Sequence, residues 1–371
     1  MQPHSKAIRA GLGGATLAAG ALLSVLPAPQ ARADVSLPPV SIGAGVQAGF
    51  YSCEHACIYS SGTPNAGSTS AQGFELDSIR LYVNGSATDN IKLTFNTEYD
   101  GADDDVEVLD AIGRFEFSNA FNIWAGRFLP PSDRANLYGP YYANDWTPYA
   151  DGVADYYPNV AVGRDNGVAY WGDYGPAKLQ IGAFDGRSLG STSAVPDESK
   201  ILYAGRLMWD FWDKESGYYL NGTYYGDKDV LALGIAGQTQ DSKTDYSLDG
   251  LLEKKLAGAG ALALEAEYQN DSGLNSTTHN NGWYGLASYL FPQVVGIGKF
   301  QVLAKYSQKS YDAAATTPAY KLKTTEVNFN YVIKEFNARV GLYYLTQKDD
   351  LPSLSAQPTP NEIGLKMQLQ M

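Results

Sequence analysis

Apolar and polar residues alternate with a period of two along most of this chain, from about residue 40 to its last residue. In the final segment, Ile363, Leu365 and Met367 alternate with Glu362 and Lys366. Successive side chains of a β-strand point to opposite faces, so this period predicts strands with one apolar and one polar face. Strands of this kind are half-buried, and the chain is predicted to be all-β.

Sixteen segments show the pattern, at residues 40–50, 74–84, 91–99, 107–117, 121–128, 165–173, 177–184, 201–210, 230–239, 244–254, 260–269, 282–291, 298–309, 320–334, 338–347 and 362–371. Short connections, such as 86–90 and 118–120, alternate with longer polar ones, such as 51–73 and 128–164. An even number of strands with short turns at one end and long loops at the other is typical of a transmembrane antiparallel β-barrel. The connection 211–229 is long although it falls on the short-turn side, and the sequence does not explain it.

Aromatic residues near the strand ends suit the interface between membrane and water. Those predicted to face lipid there are Tyr99, Trp124, Tyr170, Trp209, Phe291 and Tyr331. A soluble propeller is the main alternative fold, but no sequence repeat of about 40–50 residues is present. A soluble sandwich would need a second apolar face on strand after strand, which the pattern does not supply.

The first 33 residues are predicted to be a signal peptide, which leaves residues 34–371 as the barrel. Lys6 and Arg9 precede the uncharged stretch 12–26, and Ala31-Arg32-Ala33 is a suitable cleavage signal. The alternative of an N-terminal membrane anchor is less consistent with the sequence because the apolar stretch is short and rich in glycine. No later segment has the length and uninterrupted apolar character of a membrane-spanning helix.

Charge and composition exclude several classes of function. The full chain has a formal net charge of −13, and the predicted leader contains three of its basic residues, so the mature protein is more acidic still. Nucleic-acid binding needs clustered Lys and Arg, so it is not expected. Three His and two Cys leave little material for metal or haem ligation, and no cofactor or metal site is predicted.

The two cysteines, Cys53 and Cys57, are predicted to form a local disulfide because the protein is expected to be exported. A metal site that combines both thiolates with His55 is the alternative, but it lacks an evident fourth ligand. Catalysis is not expected: the mature chain has only His55 and His279, both in predicted loops, and no G-x-S-x-G motif.

Several motifs resemble the phosphate-selective porin O and P family of Gram-negative outer membranes. They are the pair Asp110-Ala111-Ile112-Gly113-Arg114-Phe115 and Trp124-Ala125-Gly126-Arg127-Phe128-Leu129-Pro130-Pro131, then Gly163-Arg164-Asp165-Asn166-Gly167-Val168, then residues 296–306. Their order and spacing extend over most of the mature chain. The resemblance implies a sixteen-stranded outer-membrane pore, usually a homotrimer, with the third loop folded into the lumen as a constriction.

The third loop, at about residues 128–164, and the polar strand faces supply the candidate site residues. The predicted constriction and lumen residues are Arg127, Asp133, Arg134, Tyr138, Asp145, Asp151, Asp155, Arg164, Lys92, Arg114, Glu116 and Arg206. The alternative for the loop is an external cap whose tyrosines only pack the loop itself. By parity, the lumen wall has seven basic candidates (Arg80, Lys92, Arg114, Arg206, Lys305, Arg339, Lys366) and nine acidic ones (Glu98, Asp110, Glu116, Asp249, Glu253, Glu265, Glu267, Glu326, Glu362).

These observations predict an outer-membrane channel for passive diffusion of ions and small hydrophilic solutes. The acid excess on the wall favours a weak cation preference, because a phosphate site needs several basic groups converging with few carboxylates. The expected partners are outer-membrane lipid, the solutes and two further copies of the chain. A barrel without a channel, acting as a receptor, adhesin or structural protein, is the alternative.

Overall fold

The computed structural model describes residues 39–60, 68–101, 105–153, 163–186, 200–272, 274, 279–314, 317–351 and 359–371. Its sixteen strands are β1 Val40–Glu54, β2 Ser70–Ser86, β3 Ile91–Asp100, β4 Asp105–Ser118, β5 Phe121–Phe128, β6 Asp165–Tyr174, β7 Ala177–Phe184, β8 Leu202–Asp210, β9 Val230–Gln240, β10 Lys243–Leu256, β11 Gly260–Asp271, β12 Asn280–Val295, β13 Gly298–Tyr311, β14 Tyr320–Lys334, β15 Ala338–Asp349 and β16 Asn361–Gln370.

Each strand pairs antiparallel with its neighbours in sequence, and the first strand pairs with the last. The β1–β16 register runs from Gly45 opposite Gln370 to Glu54 opposite Asn361, which closes the sheet into a barrel. All sixteen predicted segments are strands, and several extend further toward the long-loop end than predicted, as β1 does to Glu54. The prediction of a sixteen-stranded antiparallel barrel is confirmed.

The outer face of the barrel is apolar and the inner face is polar, which is the arrangement of a membrane-spanning barrel. On β9, Leu233 and Ile235 are about half exposed on the outer face, whereas Gln238 and Gln240 are buried on the inner face. In the described part of the chain, no helix is long and apolar enough to cross a lipid bilayer.

One member of the predicted aromatic set, Trp124, does not face lipid. Its side chain is 3% exposed and stacks inside the barrel on Tyr218, with 4.5 Å between ring centroids. The parity of β5 places Trp124 on the same face as the buried Asn122 and Phe128, so its assignment to the outer face was wrong.

The third loop folds into the lumen, as predicted. Between β5 and residue 153 it contains a short helix, α1 (Arg134–Tyr138), and a single 3-10 turn (Pro140–Tyr142). Asp133 caps α1 by accepting a hydrogen bond from the Asn136 amide at 2.8 Å. Nearly all of residues 129–153 are buried, because their side chains contact the inner face of the barrel.

A second connection, residues 211–229 between β8 and β9, also enters the lumen; we refer to it as the inserted turn. Successive connections of an antiparallel barrel lie at alternate ends, so the inserted turn enters from the end opposite the third loop. Its Leu220 amide donates to the Leu137 carbonyl at 3.3 Å, and its Gly222 amide donates to the Tyr142 carbonyl at 2.8 Å. The unexplained length of this connection therefore corresponds to a second segment inside the barrel.

The two inserted segments give the lumen an apolar core of its own. Leu137 of α1 and Tyr218 and Leu220 of the inserted turn pack with Trp124 and Phe128 on the wall. A second cluster joins the third loop to β12 and β13 through residues such as Tyr138, Tyr284 and Leu303. Much of the lumen beside β6 to β15 is therefore filled by packed side chains.

Candidate permeation pathway

A cavity of about 670 Å³ remains inside the barrel, between strands β1 to β5 and the two inserted segments. Its strand side includes Arg80, Tyr82, Asn96, Asp110 and Arg114, and its opposite side includes Leu129, Leu137, Tyr138, Tyr142, Tyr219, Leu220 and Asn221. The cavity has a polar, charged wall and an aromatic and aliphatic wall. It is the candidate pathway for solutes.

In the described part of the chain, three guanidinium groups line this cavity: those of Arg80, Arg114 and Arg164. Arg80 forms a two-pronged ion pair with Glu98, in which Nε lies 2.8 Å from Oε1 and the second nitrogen 3.0 Å from Oε2. Arg164 lies at 3.5 Å from Asp110. Asp110 is the only acidic side chain among the described residues that line the cavity.

A charged cluster on β3 and β4 continues the polar wall. Lys92 Nζ lies 2.8 Å from Glu116 Oε2, and Arg114 lies 3.7 Å from Glu116 Oε1. The Trp124 indole donates to the same Glu116 oxygen at 3.1 Å, and the Arg114 guanidinium lies 5.8 Å from the centre of that ring. Glu116 thus holds Arg114 and Trp124 in place at the edge of the pathway.

Wall residues on β13 and β14 hold the third loop by charge and hydrogen bonds. Lys305 pairs with Asp145 at 3.0 Å and with Asp151 at 2.9 Å. Glu326 accepts hydrogen bonds from the Trp146 amide at 3.1 Å and the Thr147 hydroxyl at 2.6 Å. These groups are buried, so water competes little for the contacts.

Further wall residues satisfy backbone carbonyls of the loop. Arg339 donates to the Ala143 carbonyl at 2.8 Å, and Gln368 donates to the Tyr141 carbonyl at 2.9 Å. The Arg339 guanidinium also lies 4.2 Å from the centre of the Trp146 ring. A segment without regular structure would bury unsatisfied carbonyls in the lumen, and these donors remove that penalty.

Arg134, the first residue of α1, joins the third loop to the inserted turn. One guanidinium nitrogen donates to Glu215 Oε1 at 2.9 Å and to the Asn221 carbonyl at 3.0 Å, and the other nitrogen pairs with Glu215 Oε2. Both charged side chains are fully buried. Burial raises the pKa of Glu215, but the Arg134 guanidinium, the Tyr224 hydroxyl and Lys178 together lower it by more, so the pKa lies below its ordinary value.

A neighbouring buried pair fixes the start of the same helix. Arg206 on β8 pairs with both oxygens of Asp249 on β10, at 2.5 and 2.7 Å, and donates to the Ser132 carbonyl at 3.1 Å. Arg134 Nε lies 3.8 Å from the same carboxylate. Asp249 therefore contacts both Arg206 and Arg134. It connects the barrel wall to the contact between Arg134 and Glu215, which we refer to as the joint.

The predicted site residues occupy three kinds of position. Residues that line the cavity are Arg114, Tyr138 and Arg164. Residues that secure the third loop or α1 are Asp133, Arg134, Asp145, Asp151 and Arg206, and Lys92 and Glu116 form the cluster beside the cavity. Tyr138 also secures the loop, since its hydroxyl donates to Glu265 at 3.0 Å.

Two predicted residues are not placed in the lumen. Arg127 pairs with Ala111 on the outward face of β5 and β4, and its Nε donates to the Val108 carbonyl at 2.8 Å. Parity accounts for this, because Arg127 alternates with the inward Phe128. Asp155 lies outside the described residues.

The predicted site residues do not include the inserted turn, which brings Glu215, Tyr219 and Asn221 into the lumen. One signal was present. A connection of this length on the short-turn side contains the pairs Tyr218-Tyr219 and Tyr224-Tyr225, and a solvated turn has no need of so many aromatic rings.

Cys53 and Cys57 form the predicted disulfide, which closes a small ring at the end of β1. The residues after this ring bind a wall carboxylate: the Ile58 and Tyr59 amides donate to Glu362 Oε2 at 2.8 and 3.0 Å. The Ser60 hydroxyl donates to the other oxygen at 2.7 Å. Since both sulfur atoms are in the disulfide, neither is a thiolate ligand.

No family model matches the sequence, and no curated protein is significantly similar to it. Among solved structures, the chain is similar to OprB of Pseudomonas putida (TM-score 0.60, 11% identity, covering 90% of this chain and 94% of that chain). It is also similar to OmpF of Salmonella typhi in complex with daunomycin (TM-score 0.58, 12% identity, 90% and 98%). A third is the outer membrane channel DcaP of Acinetobacter baumannii (TM-score 0.56, 14% identity, 90% and 97%). At these identities the similarity shows that the chain has the barrel fold of Gram-negative outer-membrane porins.

Proposed function

We propose that this protein is an outer-membrane channel of a Gram-negative bacterium, through which ions and small hydrophilic solutes diffuse passively. The observation that carries the proposal is the cavity of about 670 Å³, with one polar and charged wall, inside a closed barrel with an apolar outer face. The shared fold with porins supports it, since wide barrels of this type commonly contain an aqueous channel. No catalytic step is part of the proposal.

Single-channel recording in a planar lipid bilayer tests this function. The purified full chain is expected to insert and give stable conductance steps, and liposomes that contain it are expected to swell in small sugars but not in large ones. A closed receptor or adhesion barrel would insert without conductance steps and without swelling. That result would reject the channel.

Ion selectivity is the finer part of the proposal. The weak cation preference predicted from nine acidic against seven basic wall positions remains a prediction. Several of those acids, such as Glu326 and Glu362, bind backbone amides of loops and do not line the described cavity. Among the described side chains that line the cavity, three are guanidinium groups and one is a carboxylate, which favours a second candidate, a channel with a weak anion preference.

The reversal potential in a KCl gradient distinguishes the two candidates by its sign. Arg114→Gln removes a lining charge and is expected to shift the reversal potential toward cations in either case. Lys200→Gln, which removes an exposed charge paired with Asp241 away from the cavity lining, is the matched control and is expected to leave it unchanged. Block of chloride current by micromolar phosphate would instead favour the narrower resemblance to the phosphate-selective porins.

A further inference from the structure

The inserted turn lies beside the candidate pathway. It enters from the short-turn end, and its residues Tyr219, Leu220 and Asn221 form part of the cavity wall beside α1. The Tyr219 ring lies 5.6 Å from the ring of Trp124, which lines the same cavity. The inserted turn therefore narrows the pathway from the end opposite the third loop.

Three hydrogen bonds to backbone carbonyls of the third loop connect it to the inserted turn. Leu220 donates to Leu137, Gly222 donates to Tyr142, and the Tyr218 hydroxyl donates to the Leu129 carbonyl at 2.8 Å. The Leu220 side chain packs in the same core as Leu137. Contacts of this number and burial make the two segments one packed unit rather than two separate loops.

A buried ion pair also holds the two segments together. Arg134 spans the two segments, because it bonds the Glu215 carboxylate and the Asn221 carbonyl at the same time. The Tyr224 hydroxyl donates to Glu215 at 2.8 Å, and the Thr223 hydroxyl donates to Glu253 on the wall at 2.9 Å. The backbone of residue 221 is thereby held at the cavity wall from both sides of the turn.

We propose that the inserted turn is a second constriction element, which sets the conductance and charge selectivity of the pathway at Asn221. Arg134 makes it continuous with the third loop, so the two segments narrow the pathway together. The inference rests on the proposed function, because it requires that the described cavity conduct ions. A side chain that projects from residue 221 is then within the path of permeating ions, and its charge biases which ions pass.

Modification of an introduced thiol tests the proposal in a conducting channel. Both native cysteines are in a disulfide, so only the new thiol of Asn221→Cys reacts with a charged methanethiosulfonate reagent. The substitution keeps the carbonyl that Arg134 binds. A cationic reagent is expected to lower the single-channel conductance and shift the reversal potential toward anions, and an anionic reagent is expected to shift it toward cations.

Ser216→Cys is the matched control, because Ser216 belongs to the same turn but is exposed and outside the cavity lining. Its modification is expected to change neither quantity. As a second variant, Tyr219→Ala removes a ring from the cavity wall and is expected to raise the conductance.

The inference is overturned if Asn221→Cys shifts neither conductance nor reversal potential more than Ser216→Cys, or if its thiol is not labelled from the aqueous phase. Mass spectrometry of the modified protein reports the labelling. Failure of the channel function itself has a different signature, since the unmodified wild-type barrel would then show no conductance at all.

Discussion

Arg134 and Glu215 are a fully buried ion pair between two segments that have little regular structure. Each charge has lost its hydration, and the pair replaces it with two direct contacts, a carbonyl and the Tyr224 hydroxyl. A buried pair contributes modestly compared with an apolar replacement of both partners, but removal of one partner leaves an uncompensated charge. The pair therefore sets a specific geometry for the joint.

Loss of Arg134 is expected to destabilise the protein strongly. Arg134→Ala leaves Glu215 buried without its cation, at a cost of about 3–5 kcal/mol in the free energy of unfolding. The measurement is urea-induced unfolding of the barrel in lipid vesicles. Lys200→Ala breaks an exposed pair with Asp241 and is expected to cost less than about 1 kcal/mol. Equal effects of the two variants would contradict the role of the joint.

The same pair predicts a pH dependence at the acid end. Because the pKa of Glu215 is lowered in the folded protein, its stabilisation is present above the ordinary value of 4.5 and is lost as the pH falls through the folded-state pKa. Wild type is therefore expected to be more stable than Glu215→Gln at pH 7, and the difference in unfolding free energy should shrink below pH 4.5. A difference that stays constant with pH would show that Glu215 is not ionised in the joint.

The strands that contact the third loop hold it in position. Glu326 on β14 accepts hydrogen bonds from both Trp146 and Thr147, in the part of the loop that follows the 3-10 turn. Glu326→Ala is expected to free this part of the loop, with larger open-channel current noise in single-channel records. Asp89→Ala, in the exposed turn between β2 and β3, is the control and should retain wild-type noise.

The loop after β1 offers a second test at this scale. The disulfide closes a small ring, and loop-closure entropy gives such a ring about 2 kcal/mol, so it shapes the loop more than it stabilises the barrel. Alkylation without reduction is expected to label no thiol, and alkylation after reduction should label two. Reduced protein is expected to keep its folded electrophoretic mobility. A shift to the unfolded mobility would mean that the ring supports the whole barrel.

For the whole molecule, the sequence predicts the strands better than it predicts what fills them. The alternation in segments such as 362–371 is local, so strand number, order and inward parity follow from residues that are neighbours in the chain. The insertion of residues 211–229 depends on contacts with Arg134 and Leu137, which lie some eighty positions earlier. The length of the connection and its paired tyrosines indicate burial, but the alternation pattern does not specify the contacts inside the barrel.

The charge count illustrates the same limit. Parity correctly assigns Glu326, Asp249 and Glu362 to the inner face, but it does not distinguish a side chain that lines a pathway from one that binds a loop. Only the three-dimensional contacts show that these carboxylates are already used. For this reason the side chains that line the cavity favour a weak anion preference, whereas the count of all wall charges favours a weak cation preference.

The whole protein is predicted to assemble as a homotrimer. Its support is the sequence resemblance to the phosphate-selective porin family, which implies a homotrimer, and each copy is expected to conduct independently. Conductance is therefore expected to rise in groups of three equal steps, and the mass of the detergent-solubilised protein, after subtraction of detergent, should be three times that of one chain. Single steps at the mass of one chain would reject the trimer.

The anchors of the third loop have a consequence for the order of assembly. The loop is bound by Glu326, Arg339 and Gln368, at sequence separations of 180, 196 and 227 residues from their partners. These anchors belong to the last three strands, so they come into position only as the sheet curls round and β16 meets β1. A partly assembled barrel therefore lacks its complete constriction. The aperture through which solutes would pass forms in the same step in which the sheet closes.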